Sequence, residues 1–199
     1  LVRGRVPVLV GITDTAFVES VQLARHAAAA GAAAVVLSTP YYFPAGQTEL
    51  TGYIRNLVPE LPLPLVLYNM PSLTKVWFEL ETLQQLTQLP GIVGIKDATG
   101  NLERGTDLIK RAPQGFALYS GDDASALAFI LLGGHGTISV TANVAPRLMH
   151  EMCAAALAGD VARAREINSR LLGLHRQLFV EANPIPVKWV SLDKQLADR

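Results

Sequence analysis

The sequence predicts an α/β protein of the (β/α)8 (TIM) barrel type, here in about six β-α units followed by a helical tail. Three observations carry that expectation. Short apolar runs recur at steps of about 20 to 30 residues, the length of a β-α unit. The runs are apolar nearly throughout, with little alternation, as strands buried on both faces of a parallel sheet are. No G-x-G-x-x-G and no P-loop follows an early run, so an open nucleotide-binding sheet lacks its signature.

The first run, Val8–Ile12, predicts a strand, and Phe17–Ala30 a helix with Asp14 and Thr15 as N-cap candidates and Gly31 as its stop. A strand over Ala34–Ser38 leads to a helix over Thr48–Val58, with Leu50, Ile54 and Leu57 on one face and Pro59 beyond it. Strands are expected at Leu65–Tyr68, Ile92–Lys96, Phe116–Ser120 and Gly136–Val140. The helices between them are expected at Leu80–Leu86, Leu102–Arg111 and Ala124–Leu132, the last with Asp122 and Asp123 to cap it. Gly133-Gly134-His135-Gly136 precedes a strand and reads as a helix C-terminal turn rather than a phosphate cradle. Pro146–Leu157, Val161–Val180 and Pro186–Leu196 read as helices, the middle one ending at the rigid turn Asn183-Pro184-Ile185-Pro186. Residues 1–145 are thus expected to form a partial barrel and residues 146–199 C-terminal helices packed on it.

Composition narrows the function classes. The 199 residues are 50% apolar and 17% charged, enough for an aliphatic core and against disorder. Seventeen Lys and Arg balance seventeen Asp and Glu, and the basic residues are scattered, which argues against nucleic acid or an anionic membrane surface as partner. No apolar run reaches the ~18–20 residues of a membrane span. One cysteine, Cys153, sits in a helical pattern as a small apolar residue; the lack of a disulfide framework suits the cytoplasm. The chain opens on Leu1 without Met or a secretory leader, which fits a piece of a longer barrel. No metal is expected: His26, His135, His150 and His175 are scattered, and Asp122 with Asp123 reads as capping rather than as a Mg²⁺ pair. A serine hydrolase lacks its G-x-S-x-G.

Barrel chemistry sits at the C-terminal strand ends. Lys96 stands out there, as one of five lysines and the one that closes an apolar strand. Period-two alternation puts Ile92, Gly94 and Lys96 on one face, with Gly94 leaving room beside the amine. Position alone leaves two readings: a lysine that snorkels to solvent, or a desolvated amine that attacks a ketone to form a Schiff base. Tyr68 ends the preceding strand, within reach of such an amine as a proton carrier, or else as a half-buried tyrosine with a wet hydroxyl.

Four stretches then carry a resemblance: Tyr68-Asn69-Met70-Pro71-Ser72, Gly94-Ile95-Lys96-Asp97-Ala98-Thr99-Gly100-Asn101, Ser120-Gly121-Asp122-Asp123-Ala124-Ser125-Ala126-Leu127, and Gly133 through Ala145. Together they resemble the dihydrodipicolinate synthase / N-acetylneuraminate lyase superfamily of Schiff-base pyruvate lyases, and the tail Leu178–Trp189 is similar to its synthase branch. The resemblance implies Lys96 as the imine-forming lysine and Tyr68 as the proton-relay tyrosine. It implies Tyr42 as a tyrosine lent across a dimer interface, Ile138 as lining the pyruvate pocket, and Gly121 as a substrate-binding position. It places Tyr41 and Glu19 where some members bind lysine as a feedback inhibitor, although Thr15 replaces the asparagine usual beside them. It implies no cofactor beyond the covalent lysine–pyruvate imine, small-molecule substrates (pyruvate and an aldehyde), and a homo-oligomer, dimer or tetramer.

Two departures qualify the resemblance. The family's first two β-α units, with a threonine pair for the pyruvate carboxylate, lie before residue 1, and its closing helices are short here. Leu73 stands where the synthase branch has an arginine for the second substrate's carboxylate, and leucine makes no bidentate pair. The implied activity is condensation of pyruvate with aspartate-4-semialdehyde to 4-hydroxy-tetrahydrodipicolinate, in lysine biosynthesis. Two alternatives stay open: an aldolase or dehydratase acting on a sugar acid, and a catalytically silent truncated barrel.

Overall fold

The computed structural model describes residues 2–197, which fall into two compact units. One holds the chain through Thr99 together with Asp107–Leu118; the other holds Gly100–Thr106 and the chain from Tyr119 onward.

The first unit repeats strand and helix. It contains β1 (Leu9–Gly11), α1 (Phe17–Ala29), β2 (Ala34–Ser38), α2 (Gln47–Leu57), β3 (Leu65–Asn69), α3 (Pro71–Thr74), α4 (Leu80–Leu86) and β4 (Ile92–Asp97). The strands are parallel and lie side by side in chain order. Each helix buries one stripe: Ser20, Val21, Ala24 and Ala27 of α1, Leu50, Ile54 and Leu57 of α2, Thr82, Leu83 and Leu86 of α4. Gly31 stops α1 because its φ of +82° is open to glycine at little cost. Asp14 does not cap α1 as expected. Its carboxylate accepts the Ala16 amide at 2.9 Å, and Ala16 itself occupies the cap position without a side-chain bond.

The helix α3 was not foreseen. Pro71 presets its first turn, and Lys75, in the left-handed region at φ 57°, ends it. The Lys75 ammonium donates back to the Ser72 carbonyl at 2.6 Å, which holds that strained residue in place. α5 (Leu102–Arg111) and β5 (Ala117–Ser120) run from one unit into the other.

In the second unit the end of β5 pairs with β6 (Gly136–Thr137), and α6 (Ala126–Leu131), α7 (Pro146–Leu157), α8 (Val161–Gln177) and α9 (Ile185–Ala197) complete it. Leu127, Ile130, Met149, Met152, Ile167 and Leu171 make its core. β6 stops three residues short of the expected Val140. Side chains take over the backbone donors there: Ser139 Oγ accepts the Ala142 amide at 2.9 Å and Asp123 accepts the Thr141 amide at 2.8 Å, closing a 3-10 turn over Thr141–Asn143. Asp123 is therefore not a cap of α6, whereas Asp122 accepts from the Ser125 amide and hydroxyl at its start. α8 ends at Gln177, three residues before the expected stop, and its cap is Asp160, which accepts the Arg163 amide at 3.0 Å. Gly133 and Gly134 close α6 by donating to the Ile130 and Phe129 carbonyls, the helix-ending turn the glycines suggested. Among the described residues, no helix is long and apolar enough to cross a membrane.

Candidate active site

The strongest site signal in the sequence lands at one place in the first unit. β3 and β4 pair in parallel register, with Tyr68 opposite Lys96 and Asn69 opposite Asp97. Paired residues of parallel strands share a face, so the phenol and the amine project together. The Lys96 Nζ lies 4.0 Å from the centroid of the Tyr68 ring, a cation–π contact in which the electron-rich ring face holds the ammonium.

The Tyr68 hydroxyl donates to the Met70 sulfur at 2.9 Å. Burial raises the phenol pKa above its ordinary value, because the phenolate would lose water. At neutral pH the group is thus a protonated donor beside an amine. Met70 was not singled out from the sequence; a thioether gives no signal there that separates it from a packing residue.

The opposite face is the scaffold. Asn69 is fully buried; its carbonyl oxygen accepts the Phe78 amide at 2.9 Å, and its Nδ2 donates to the Phe78 carbonyl and to Asp97 Oδ2, each at 3.3 Å. Asp97 accepts from the Thr99 amide at 3.0 Å and from the Thr99 hydroxyl. These bonds pin the connection after β3, and the turn after β4, one residue beyond the phenol and the amine. Thr74 and Thr39 fix the same connection from within by donating to the Val76 carbonyl at 2.7 and 2.9 Å. In the sequence Asn69 and Asp97 stand one residue beyond the expected strands, inside the resembling stretches, with no role of their own; an amide and a carboxylate at matched ends of adjacent strands are the signal that could have marked them.

Gly94 has a different cause from the expected one. A Cβ there would lie 2.7 Å from the Ala117 carbonyl oxygen and 2.8 Å from the Ala117 Cβ, so glycine is required by the close approach of β5 rather than by space for the amine. Ile92 also leaves the face assigned to it, since it pairs with Leu65 while Gly94 pairs with Val66.

The other expected residues are placed as follows. Tyr42, in the turn after β2, is 82% exposed, and Tyr41 beside it is exposed too. Glu19 lies on the exposed side of the first turn of α1, and no hydrogen bond joins it to Tyr41 among the described residues. Leu73, in α3, is 54% exposed. In the second unit, the Ile138 amide donates to the Ser120 carbonyl at 2.9 Å, and the Ser120 hydroxyl brackets Gly121 by donating to the Asp122 carbonyl and accepting the Asp122 amide. Among the described residues, no three His, Cys, Asp or Glu side chains gather as metal ligands would. Burial pushes the Cys153 thiol pKa up, which disfavours its thiolate.

Comparison with known proteins bears on family and fold. The profile of the Dihydrodipicolinate synthetase family matches residues 1–196. The 4-hydroxy-tetrahydrodipicolinate synthase of Azoarcus sp. (strain BH72) is 58% identical over 186 residues, covering 94% of this chain and 64% of that protein. The enzyme of the same name from Thiobacillus denitrificans is 58% identical over 190 residues, 96% of this chain and 64% of its own length. The crystal structure of chloride-inhibited dihydrodipicolinate synthase from Acinetobacter baumannii, complexed with pyruvate, superposes with a TM-score of 0.94 at 42% identity, over 98% of this chain and 67% of that one. The chain thus spans just under two thirds of the length of the curated relatives it matches, 64%. Its fold is the α/β barrel class expected from the sequence, with about six β-α units. By profile, identity and fold, the chain belongs to the dihydrodipicolinate synthetase family.

Proposed function

We propose that this chain carries the pyruvate-activating centre of a class I, Schiff-base lyase, with Lys96 as the nucleophile and Tyr68 as the proton carrier. The observation that carries the proposal is the in-register pair, with the Lys96 amine 4.0 Å above the phenol ring. The deprotonated amine adds to the ketone carbon of pyruvate, and the carbinolamine loses water to give the imine. The cationic imine nitrogen draws electrons from the methyl group, which gives up a proton to form the enamine. The enamine carbon then adds to an aldehyde, whose oxygen takes up a proton, and attack on the regenerated imine by the adduct's own amino group, or by water, frees Lys96. Tyr68, kept protonated by burial, supplies a proton to the leaving hydroxyl and takes one back. The covalent imine is the electron sink, so no separate cofactor is invoked.

The acceptor we assign is aspartate-4-semialdehyde, giving 4-hydroxy-tetrahydrodipicolinate for lysine synthesis in the cytoplasm; relatives of that name at 58% identity support it. Ile138 is assigned to the pyruvate pocket and Gly121 to substrate binding. The 82% exposure of Tyr42 suits a side chain lent to a second copy, in a homodimer or tetramer. Tyr41 and Glu19 are assigned to feedback binding of lysine. One observation favours a second reading: Leu73, 54% exposed, brings no charge to an acceptor carboxylate, as an aldolase for a 2-keto-3-deoxy sugar acid would allow.

The test is borohydride reduction in the presence of pyruvate, read by intact mass and peptide mapping, on this chain and on a form extended at its N-terminus by the family's first two β-α units. A reduced pyruvyl adduct on Lys96 in either protein is the expected result. No adduct in either folded protein overturns the Schiff-base reading and leaves the silent barrel. Turnover with aspartate-4-semialdehyde, against release of pyruvate from 2-keto-3-deoxy sugar acids, then separates the two acceptors.

A further inference from the structure

We infer that the first unit carries a second small-molecule site, at the far ends of β3 and β4 from Lys96, which takes an aromatic monocarboxylate on Arg55. Two clefts meet there. One, about 540 Å³, is apolar and is floored by Pro59, Pro62, Pro64 and Pro90 with leucines between them. The other, about 420 Å³, lies between α2 and α4 and is lined by the hydroxyls of Thr48, Thr51 and Thr82 and the amide of Gln85. Arg55, in the last turn of α2, lines both, and among the described residues it is the one charged side chain lining either.

Its guanidinium makes no ion pair among the described residues. The nearest acid along the chain, Glu60, is engaged by Arg25 at 3.5 Å. A cation with no internal partner, set where an apolar cleft meets a polar one, is complementary to an amphipathic anion. The four proline rings offer flat, rigid, carbon-rich walls, which suit an aromatic body and lose no rotamer freedom when they bind it. Either volume is within the ~300–1,000 Å³ range of small-molecule sites. Gly91, in the apolar cleft, has a φ of +95°, and a Cβ added there would lie 3.2 Å from the Val58 Cγ1, so a side chain at this position would be strained.

The site is independent of the Schiff-base chemistry, so its test uses binding alone. Saturation-transfer NMR and isothermal titration on this chain would use 3-phenylpropionate as probe, with 3-phenylpropanamide and acetate as controls. The acid is expected to bind and to outcompete both controls. Arg55→Ala, an exposed substitution with no hydrogen bond to lose, is expected to weaken the acid by about tenfold and leave the amide within twofold. Leu63→Trp, which fills the apolar cleft, is expected to abolish binding of acid and amide together. Equal binding of acid and amide, or an Arg55→Ala affinity within twofold of the parent, overturns the assignment. So does concentration-dependent self-association that protects the same prolines, which would make the clefts a contact between copies.

Discussion

Replacing Asn69 by alanine should release the connection that follows β3. Its side chain makes one hydrogen bond at 2.9 Å to the Phe78 amide and two at 3.3 Å, one to the Phe78 carbonyl and one to the Asp97 carboxylate. A neutral hydrogen bond contributes about 0.5–1.5 kcal/mol net, and one to a charged group about 1.5–3 kcal/mol. The two 3.3 Å contacts belong at the low end of those ranges, so the sum is about 3 kcal/mol. That corresponds to about a hundredfold in an opening equilibrium. Hydrogen exchange resolved at single amides is the assay, because the Phe78 amide is itself one of the donors. Its protection should fall by about a hundredfold in Asn69→Ala, while Leu171, in the core of the second unit, keeps its own. Asn69→Asp separates geometry from charge. It retains the acceptor for Phe78 but sets a second carboxylate against Asp97, so its loss of stability should ease as the pH falls and the pair takes up a proton. A Phe78 protection factor within threefold of the parent, or an Asn69→Asp defect that ignores pH, would refute the clamp.

Three further outcomes follow from the geometry. Gly94→Ala forces a methyl to within 2.8 Å of Ala117 and should cost about 1–3 kcal/mol by chemical denaturation; a cost below about 0.5 kcal/mol would show that β5 yields. Tyr68→Phe keeps the ring under the Lys96 amine but removes the hydroxyl, so borohydride trapping should still reach Lys96, with imine formation slower by about 10²–10⁴-fold; an unchanged rate would deny the phenol its role. His175 is buried with Nδ1 against the Thr141 hydroxyl at 2.9 Å, and burial lowers its pKa below 6.5, outweighing the raising effect of Asp123 and Asp122. Folding therefore favours the neutral ring: that stability is present above pH 6.5 and is lost as the pH falls through the lowered value. An NMR titration of the imidazole with a midpoint at or above 6.5 would contradict this.

The sequence conveyed what depends on local pattern and missed what depends on side chains meeting across the chain. Strands at Ala34–Ser38 and Ile92–Asp97, and helices such as α4 and α7, were readable because period and punctuation are local signals. β6 was overestimated because the β-branched Ile138 and Val140 have strand propensity, while the Asp123 and Ser139 bonds that end the strand come partly from a segment far upstream. At the site, Lys96 and Tyr68 were found because an amine and a phenol at buried strand ends are chemically conspicuous. Asn69 and Asp97 were passed over because each looks like an ordinary polar strand end until the register puts them opposite one another. Met70 and Thr39 act through a sulfur and a hydroxyl, which no spacing rule marks.

That register depends on one irregularity. From Leu65 to Val66 the partner on β4 advances by two residues, from Ile92 to Gly94, which leaves Val93 as a bulge. Without the extra residue, the Leu65–Ile92 pairing would run on to set Tyr68 opposite Ile95, and Lys96 opposite Asn69. A one-residue slip moves every side chain to the other face. Lys96 would then project on the side where Asn69 meets the Phe78 backbone, away from the phenol, and an ammonium would be aimed into the buried scaffold. The bulge therefore decides which face of β4 holds the nucleophile. Strict alternation read from the sequence puts Ile92 on that face as well, and the pairing of Ile92 with Leu65 shows where the count is reset. The chemistry of the pair can be argued from residue types, but their meeting is a property of strand pairing, set by a valine that touches neither of them in sequence.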